Sequence, residues 1–395
     1  MFKHWFSSLG PGLITAALVF GPSKITIASK LGSEYAFGLL WVIVVTIFFM
    51  VVFTSISARI GLATNESLLT TIRNKWGRPV AVFTGLCIFF VTASFQAGNS
   101  IGIGLALSEL THTTTLSWII AFNVFAICLL FFRSFYKVLE KIMICLIGLM
   151  LFAFVTTLIL SKPSVPGIIS GLKPSIPKGS LGLIIAFTAS CFSIVAAFYQ
   201  SYLVQERKRM QPGSTHHDKS FTGIAILGVL SAIVLVCSAT VLYPQGIHLK
   251  TATDMSKALE PLFGHYASVL FLCGLAAASF SALIGNASVG GTLLGDALEL
   301  GSSLRSGKTR FLIAILMMIG AGIAIRYGQL PLELIILAQR VTILVVPFIG
   351  LAMFSIANDK KIMRHYANNL FIKIAGGIGL LLLFVLAVKT VTDIF

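Results

Sequence analysis

The chain has 395 residues, of which 57% are hydrophobic and only 11% are charged, and its formal net charge is +16. Because a typical soluble domain contains about 25% charged residues, this composition excludes a cytosolic enzyme, a disordered chain and a secreted disulfide scaffold. The basic residues lie in short loops between long apolar segments, as in membrane proteins, and form no nucleic-acid-binding face. We predict an integral membrane protein in a lipid bilayer that is not an enzyme and binds no nucleic acid.

Eleven apolar segments are long enough to cross a bilayer, which takes about 20 residues. The predicted spans are approximately residues 13–31, 38–60, 82–109, 116–134, 138–161, 181–204, 221–243, 266–297, 311–327, 332–355 and 370–392. No segment between them is long enough to fold alone, so we predict one transmembrane domain over residues 1–395. Most Lys and Arg residues fall in the N-terminal tail and the even-numbered loops, which predicts a cytoplasmic N-terminus and an outside C-terminus, in a bacterial inner membrane.

The first and sixth predicted spans carry signals of an interrupted helix. The first contains Gly21-Pro22-Ser23-Lys24, where proline removes a backbone donor and disfavours a continuous helix. The sixth contains a run of small and polar residues over Thr188–Ala197. The two positions correspond if residues of about 10–161 and 180–355 are inverted repeats, followed by an extra helix at about 370–392. Paired broken helices are typical of the midplane substrate site of a transporter.

Four segments resemble the Nramp (natural resistance-associated macrophage protein) family of divalent-metal transporters. Residues 10–24 resemble the start of these proteins, Ser57–Thr64 the end of their second helix and Ser279–Asp296 their eighth helix. Leu337-Ala338-Gln339 with Val346-Pro347-Phe348 is similar to their tenth helix. The resemblance implies an all-α leucine-transporter fold, with five plus five inverted helices, broken helices 1 and 6, and one extra helix.

The chain departs from the family at the residues that ligate metal. Where the family has an Asp and an Asn at the break of helix 1, this chain has Gly21 and Lys24. Alignment places Ser193 at the family's methionine of helix 6 and Gln200 at a histidine one turn further on. Only the helix 10 amide, Gln339, is retained as a ligand. We predict that the chain has no transition-metal site of the family type and no cofactor.

The predicted substrate is a small anion, either a small carboxylate such as acetate or formate or an oxyanion such as bicarbonate or nitrate. Two unit charges about 4 Å apart interact by roughly 4 kcal/mol at an effective dielectric of 20, so a divalent ion would be strongly repelled by Lys24. The second halves of helices 1 and 6 would direct their positive N-termini at the midplane. Bicarbonate is small, planar and a good acceptor, and is our candidate. The predicted substrate-binding residues are Gly21, Ser23, Lys24, Ser190, Ser193 and Gln339.

Coupling to sodium is a further prediction, with Ser279, Ser281 and Asn286 of helix 8 as candidate ligands. Aligning on Ile101-Gly102 places Gln96 and Asn99 at two acidic positions that the family uses in proton movement. We therefore expect no proton coupling through that path. The predicted gate or accessory residues are Gln96, Asn99, Gln200 and Arg340. Arg340 is either a functional charge inside its span or a gate or anchor near the outer boundary.

Both the role of Lys24 and the function of the chain stay open at this stage. Lys24 is either a substrate ligand, a tethered cation that replaces a bound ion, or a residue that snorkels to the interface. The alternative function is a divalent metal transporter with a relaxed site, holding hydrated magnesium or else manganese through amides and carbonyls. The third function, a transport-inactive sensor or scaffold, lacks an attached signalling domain.

Overall fold

The computed structural model describes residues 21–131, 133–210, 220–259, 264–304, 306–328 and 331–394. Regular structure in these ranges is helical throughout, and nine helices there are long and apolar enough to cross a membrane. The predicted span at 116–134 is a shorter apolar helix over Thr115–Leu129. The first half of predicted span 1 and the histidine-containing loop around 211–219 lie outside the described residues.

The helices are numbered α1 to α17 in chain order. They are α1 (Pro22–Tyr35), α2 (Leu40–Ala63), α3 (Leu68–Trp76), α4 (Arg78–Thr111), α5 (Thr115–Leu129), α6 (Arg133–Leu160), α7 (Val165–Gly171), α8 (Leu181–Cys191), α9 (Ile194–Met210), α10 (Ser220–Val241), α11 (Ala252–Ser256), α12 (Ala267–Ala297), α13 (Gly307–Tyr327), α14 (Pro331–Thr342), α15 (Val346–Ala357), α16 (Lys360–Met363) and α17 (Leu370–Ile394). Short 3₁₀ turns cover Tyr243–Gln245, Lys257–Leu259, Gly264–Tyr266 and Arg364–Tyr366.

Helix α1 begins at the predicted interruption. Gly21 is its N-cap in an extended conformation (φ −83°, ψ 179°), and Pro22 is its first residue. Proline suits this position because the first helical N–H has no intrahelical partner and the fixed φ is already helical. The amide of Lys24 donates to the Gly21 carbonyl at 3.2 Å and closes the first turn.

The predicted break in span 6 is confirmed, because α8 ends at Cys191 and α9 begins at Ile194. Phe192 leaves the helical region (φ −82°, ψ 62°) although no proline is present. The predicted span at 332–355 is confirmed as an apolar stretch over Pro331–Ala357, but an unpredicted break divides it into α14 and α15. Pro347, at the start of α15, has no N–H and its ring would clash with the carbonyl of Ile343, so the intervening turn forms 3₁₀-type bonds instead.

Helices α4 and α12 pack closely through small residues. A Cβ on Gly290 would lie 2.2 Å from Oγ1 of Thr92, and one on Gly102 would lie 2.5 Å from Oγ of Ser279. Small residues let membrane helices approach closely, which fixes their relative position. This close pair holds one side of the region where α1 and α9 begin.

The outer faces of the bundle expose large apolar side chains. Phe152 on α6, Phe311 on α13 and Leu381 on α17 are each more than 60% exposed. Such faces need a lipid environment, since monomeric soluble proteins rarely expose large contiguous apolar patches. Together with the nine apolar helices of the described ranges, they make the chain an integral membrane protein. The orientation of its termini stays a prediction.

Candidate functional site

A cavity of about 350 Å³ lies where the breaks of the helices meet. Its lining residues come from α1, α4, α8, α9, α12 and α14, and from the turns beside them. They are Gly21, Ser23, Lys24, Phe95, Asn99, Ser190, Ser193, Val195, Ala196, Tyr199, Gln200, Leu203, Arg207, Ala282, Asn286, Val289 and Gln339.

Lys24 is the buried charge of this cavity. It lies in the first turn of α1, is 6% exposed and lines the cavity wall. None of the ion pairs found among the described residues involves Lys24, and none of the lining residues is Asp or Glu. The other charged lining residue is Arg207, which is half-buried near the end of α9. The described wall of the cavity therefore carries positive charge without an acidic counterpart.

The N-termini of α1 and α9 add to this positive field. Neither helix has an acidic residue in its first turn, and the N-cap of α1 is a glycine without a side-chain cap. A helix N-terminus carries roughly half a positive charge and N–H groups without intrahelical partners. Gly21 and Ser193, which precede the two helices, both line the cavity. This arrangement favours a negatively charged ligand over a cation.

Gln339 connects α14 to the first turn of α1. Its Nε2 donates to Oγ of Ser23 at 2.9 Å, and the side chain is only 2% exposed. Its Oε1 is buried without a hydrogen-bond partner among the described residues. A buried unpaired acceptor costs about 1–3 kcal/mol, so this oxygen favours a ligand that brings a donor or a cation.

A chain of two amides orients Asn99 in the cavity wall. Nε2 of Gln96 donates to the carbonyl of Leu283 at 2.9 Å, and Nδ2 of Asn99 donates to Oε1 of Gln96 at 3.2 Å. Because a backbone carbonyl only accepts, both amide orientations are fixed by the bond to Leu283. Oδ1 of Asn99 is left near Gly21, within 3.6 Å of where a Cβ on that glycine would stand.

The structure brings the predicted substrate-binding residues together, since all six line this cavity. Of the predicted accessory residues, Asn99 and Gln200 line it too, as does Asn286, which was predicted as a sodium ligand. Gln96 is fully buried behind Asn99. The two other predicted sodium ligands, Ser279 and Ser281, are buried but do not line the cavity. Oγ of Ser279 donates to the Leu275 carbonyl at 2.6 Å. The roles of all these residues stay predictions.

Arg340 follows Gln339 in sequence but borders a different cavity, together with Lys30, Glu34 and Gly182. Its Nη2 lies 3.3 Å from Oδ2 of Asp393 near the end of α17. The side chain of Arg340 is held outside the cavity that contains Lys24, and its role stays a prediction.

Sequence reasoning missed most of the cavity wall that α9 forms. Ala196, Tyr199, Leu203 and Arg207 recur at intervals of three or four along α9, so they share one helix face. That spacing is the sequence signal from which this helix face could have been predicted. It was overlooked because Arg207 was assigned to a loop beyond the span, whereas α9 continues to Met210.

A family model described as natural resistance-associated macrophage protein-like matches residues 12–393. The chain belongs to the Nramp family. The "divalent metal cation transporter MntH" of Deinococcus radiodurans is 25% identical over 368 residues, which cover 89% of this chain and 82% of that protein. The protein of the same name from Bacillus subtilis is 24% identical, over 100% of this chain and 94% of its own length.

Solved structures confirm the predicted fold class of this Nramp protein. A manganese transporter of Eremococcus coleocola superposes with a TM-score of 0.76 at 20% identity, covering 99% of this chain and 87% of that one. Mhp1, a nucleobase-cation-symport-1 family transporter, gives a TM-score of 0.59 at 14% identity, covering 97% and 92%. At these identities the likeness shows the fold alone.

The site differs from what the relatives' names suggest. The curated relatives are named for divalent metal cations, which agrees with our alternative function better than with an anion. Yet in the ranges that the structure describes, no group of three or more His, Cys, Asp or Glu side chains is placed to hold a metal ion. Membership of the Nramp family is therefore shown, whereas the identity of the substrate is not shown by these comparisons.

Proposed function

We propose that this Nramp-family protein is a secondary transporter that carries a small anion by alternating access. The observation that carries the proposal is Lys24, buried in the wall of a cavity whose described lining contains no acidic residue. A lysine at the centre of a membrane helix costs about 2.5–3.5 kcal/mol on insertion scales, so it is retained where it has a function or a partner. An anion from solution supplies the missing partner.

The groups around Lys24 fit this ligand class. Ser23, Ser190 and Ser193 are buried hydroxyls in the same wall and can donate to an oxyanion. The N-termini of α1 and α9 contribute partial positive charge from two directions. Bicarbonate remains the candidate from the sequence and has no support beyond this chemistry. Sodium coupling is retained as a weaker proposal, because only Asn286 of its predicted ligands lines the cavity.

Divalent metal transport is the second candidate. The names of the curated relatives favour it, and two amide oxygens of the site, Oδ1 of Asn99 and Oε1 of Gln339, are hard ligands that suit hydrated magnesium or manganese. In this case Lys24 would be a tethered cation. A divalent ion at this site would be repelled by Lys24, and the described lining contains no carboxylate that would offset the repulsion.

Ligand-dependent melting of the purified protein separates the two candidates, since a ligand that binds only the folded state raises its stability. The panel is sodium bicarbonate, formate, acetate and butyrate, and separately magnesium and manganese chloride, all at equal ionic strength. We expect at least one anion to raise the melting temperature of the wild type but not of Lys24→Gln.

The control is Lys30→Gln, which removes a lysine that pairs with Glu34 outside the cavity. It should respond to anions as the wild type does. Stabilisation by manganese or magnesium in both wild type and Lys24→Gln, with no response to any anion, would overturn the anion proposal and establish the metal candidate.

A further inference from the structure

The cavity continues beyond Lys24 with walls that are mainly apolar. On α9 the wall is formed by Ala196 and Leu203, seven residues apart and thus about 10 Å along the helix, with Tyr199 and Gln200 between them. On the opposing helices it is formed by Phe95 of α4 and Val289 of α12. Phe95 and Val289 are each 9% exposed, so this apolar band lies inside the protein.

The cavity, which extends from Lys24 to Arg207, is larger than the volume that one inorganic anion fills. Bicarbonate has four heavy atoms, which occupy about twice the ~30 Å³ of a water molecule. The cavity is about 350 Å³. A bicarbonate beside Lys24 would leave water against the apolar band, with Tyr199 and Gln200 as neighbouring polar groups, whereas a ligand with a hydrocarbon part would displace the water from the apolar side chains.

The positions of the two basic side chains that line the cavity, Lys24 and Arg207, limit the charge of the ligand. Lys24 lies at the level of the helix breaks, and Arg207 lies fourteen residues beyond Ser193, which is about 20 Å along α9. The apolar band separates them. A small dianion held at Lys24 would place its second charge near Phe95, Leu203 and Val289, where the neighbouring polar residues Tyr199 and Gln200 carry no positive charge. Arg207 is placed to attract anions to the end of the cavity rather than to hold a second carboxylate.

We propose that the carried anion is a small organic monocarboxylate, with its carboxylate at Lys24 and a hydrocarbon body of a few carbon atoms in the apolar band. This inference rests on the proposed anion transport and specifies its substrate class. Burying one methylene contributes about 0.8 kcal/mol, which is roughly a fourfold gain in affinity. Affinity should therefore rise with chain length until the band is filled.

The test measures dissociation constants for formate, acetate, propionate, butyrate and bicarbonate on the purified full-length protein. We expect roughly fourfold tighter binding per added methylene, with bicarbonate and formate the weakest of the series. Ala196→Leu fills the apolar band and should weaken butyrate at least tenfold more than acetate. The control Gly322→Leu introduces the same side chain on α13, at an exposed site where a Cβ has no neighbour within 4 Å, and should keep the wild-type series.

The outcomes distinguish this inference from the proposed function. Binding of bicarbonate or formate as tight as that of butyrate would overturn the organic substrate and leave anion transport intact. An equal loss of acetate and butyrate in Ala196→Leu would also overturn it, because the leucine would then act on the site as a whole. If no anion of the series binds, the proposed function fails as well.

Discussion

Lys24 and Arg340 are basic residues of two different helices in the bundle, and they have different surroundings. Lys24 lines the central cavity without a carboxylate among the described residues, whereas Arg340 is paired with Asp393 and borders another cavity. Gln339, next to Arg340 in sequence, points the other way and donates to Ser23. The comparison teaches that a basic residue in a membrane helix indicates a ligand only where the protein itself does not neutralise it.

The largest effect is expected at Lys24. Lys24→Gln keeps most of the side-chain length but removes the charge, so anion affinity should fall by at least tenfold. The melting temperature without ligand should stay level or rise, because a buried charge without a carboxylate partner is removed. Isothermal titration with the best-bound anion and a thermal melt of the empty protein check both parts. A variant that binds anions like the wild type would make Lys24 a tethered cation.

A smaller effect is expected at Gln339. Gln339→Leu removes the 2.9 Å hydrogen bond to Ser23 and leaves the serine free to rotate away from the ligand. A hydrogen bond of this kind contributes about 0.5–1.5 kcal/mol, so anion affinity should fall by roughly three- to tenfold. The same titration measures it. If affinity instead rises, the unpartnered Oε1 of Gln339 opposes the anion, and its amide is better explained as a ligand for a cation.

The smallest effect is expected at Arg340. Its ion pair with Asp393 is partly exposed, and such pairs contribute about 0–1 kcal/mol. A double-mutant cycle with Arg340→Gln and Asp393→Asn should give a coupling energy within this range, falling as salt is added. Anion affinity should change less than twofold. A larger loss of affinity in Arg340→Gln would give this residue a part in substrate binding that its position does not suggest.

The sequence predicted the spans well because the length of an apolar segment is a local property. The break at Gly21-Pro22 was equally local, and α1 begins there. The break before α15 was missed although Pro347 was visible, because proline is tolerated within many membrane helices. The resemblance to a known family supplied the alignment that brought Lys24, Ser193 and Gln339 together.

The apolar band could not be predicted in the same way. Phe95, Leu203 and Val289 are ordinary residues of apolar helices, and only the packing of α4, α9 and α12 turns them toward one cavity. The pairing of Arg340 with Asp393 likewise joins residues 53 positions apart. Such features depend on which helix faces meet, which the local pattern does not determine.

The most direct test of anion transport is a paired uptake measurement in proteoliposomes. Labelled butyrate and labelled manganese are added to vesicles that contain wild type or Lys24→Gln, with the mutant vesicles also reporting the passive leak of the acid. Our account predicts saturable butyrate uptake above the mutant level, unchanged by excess manganese, and no manganese uptake by the wild type. Manganese uptake by the wild type, with no butyrate uptake above the mutant level, would contradict it.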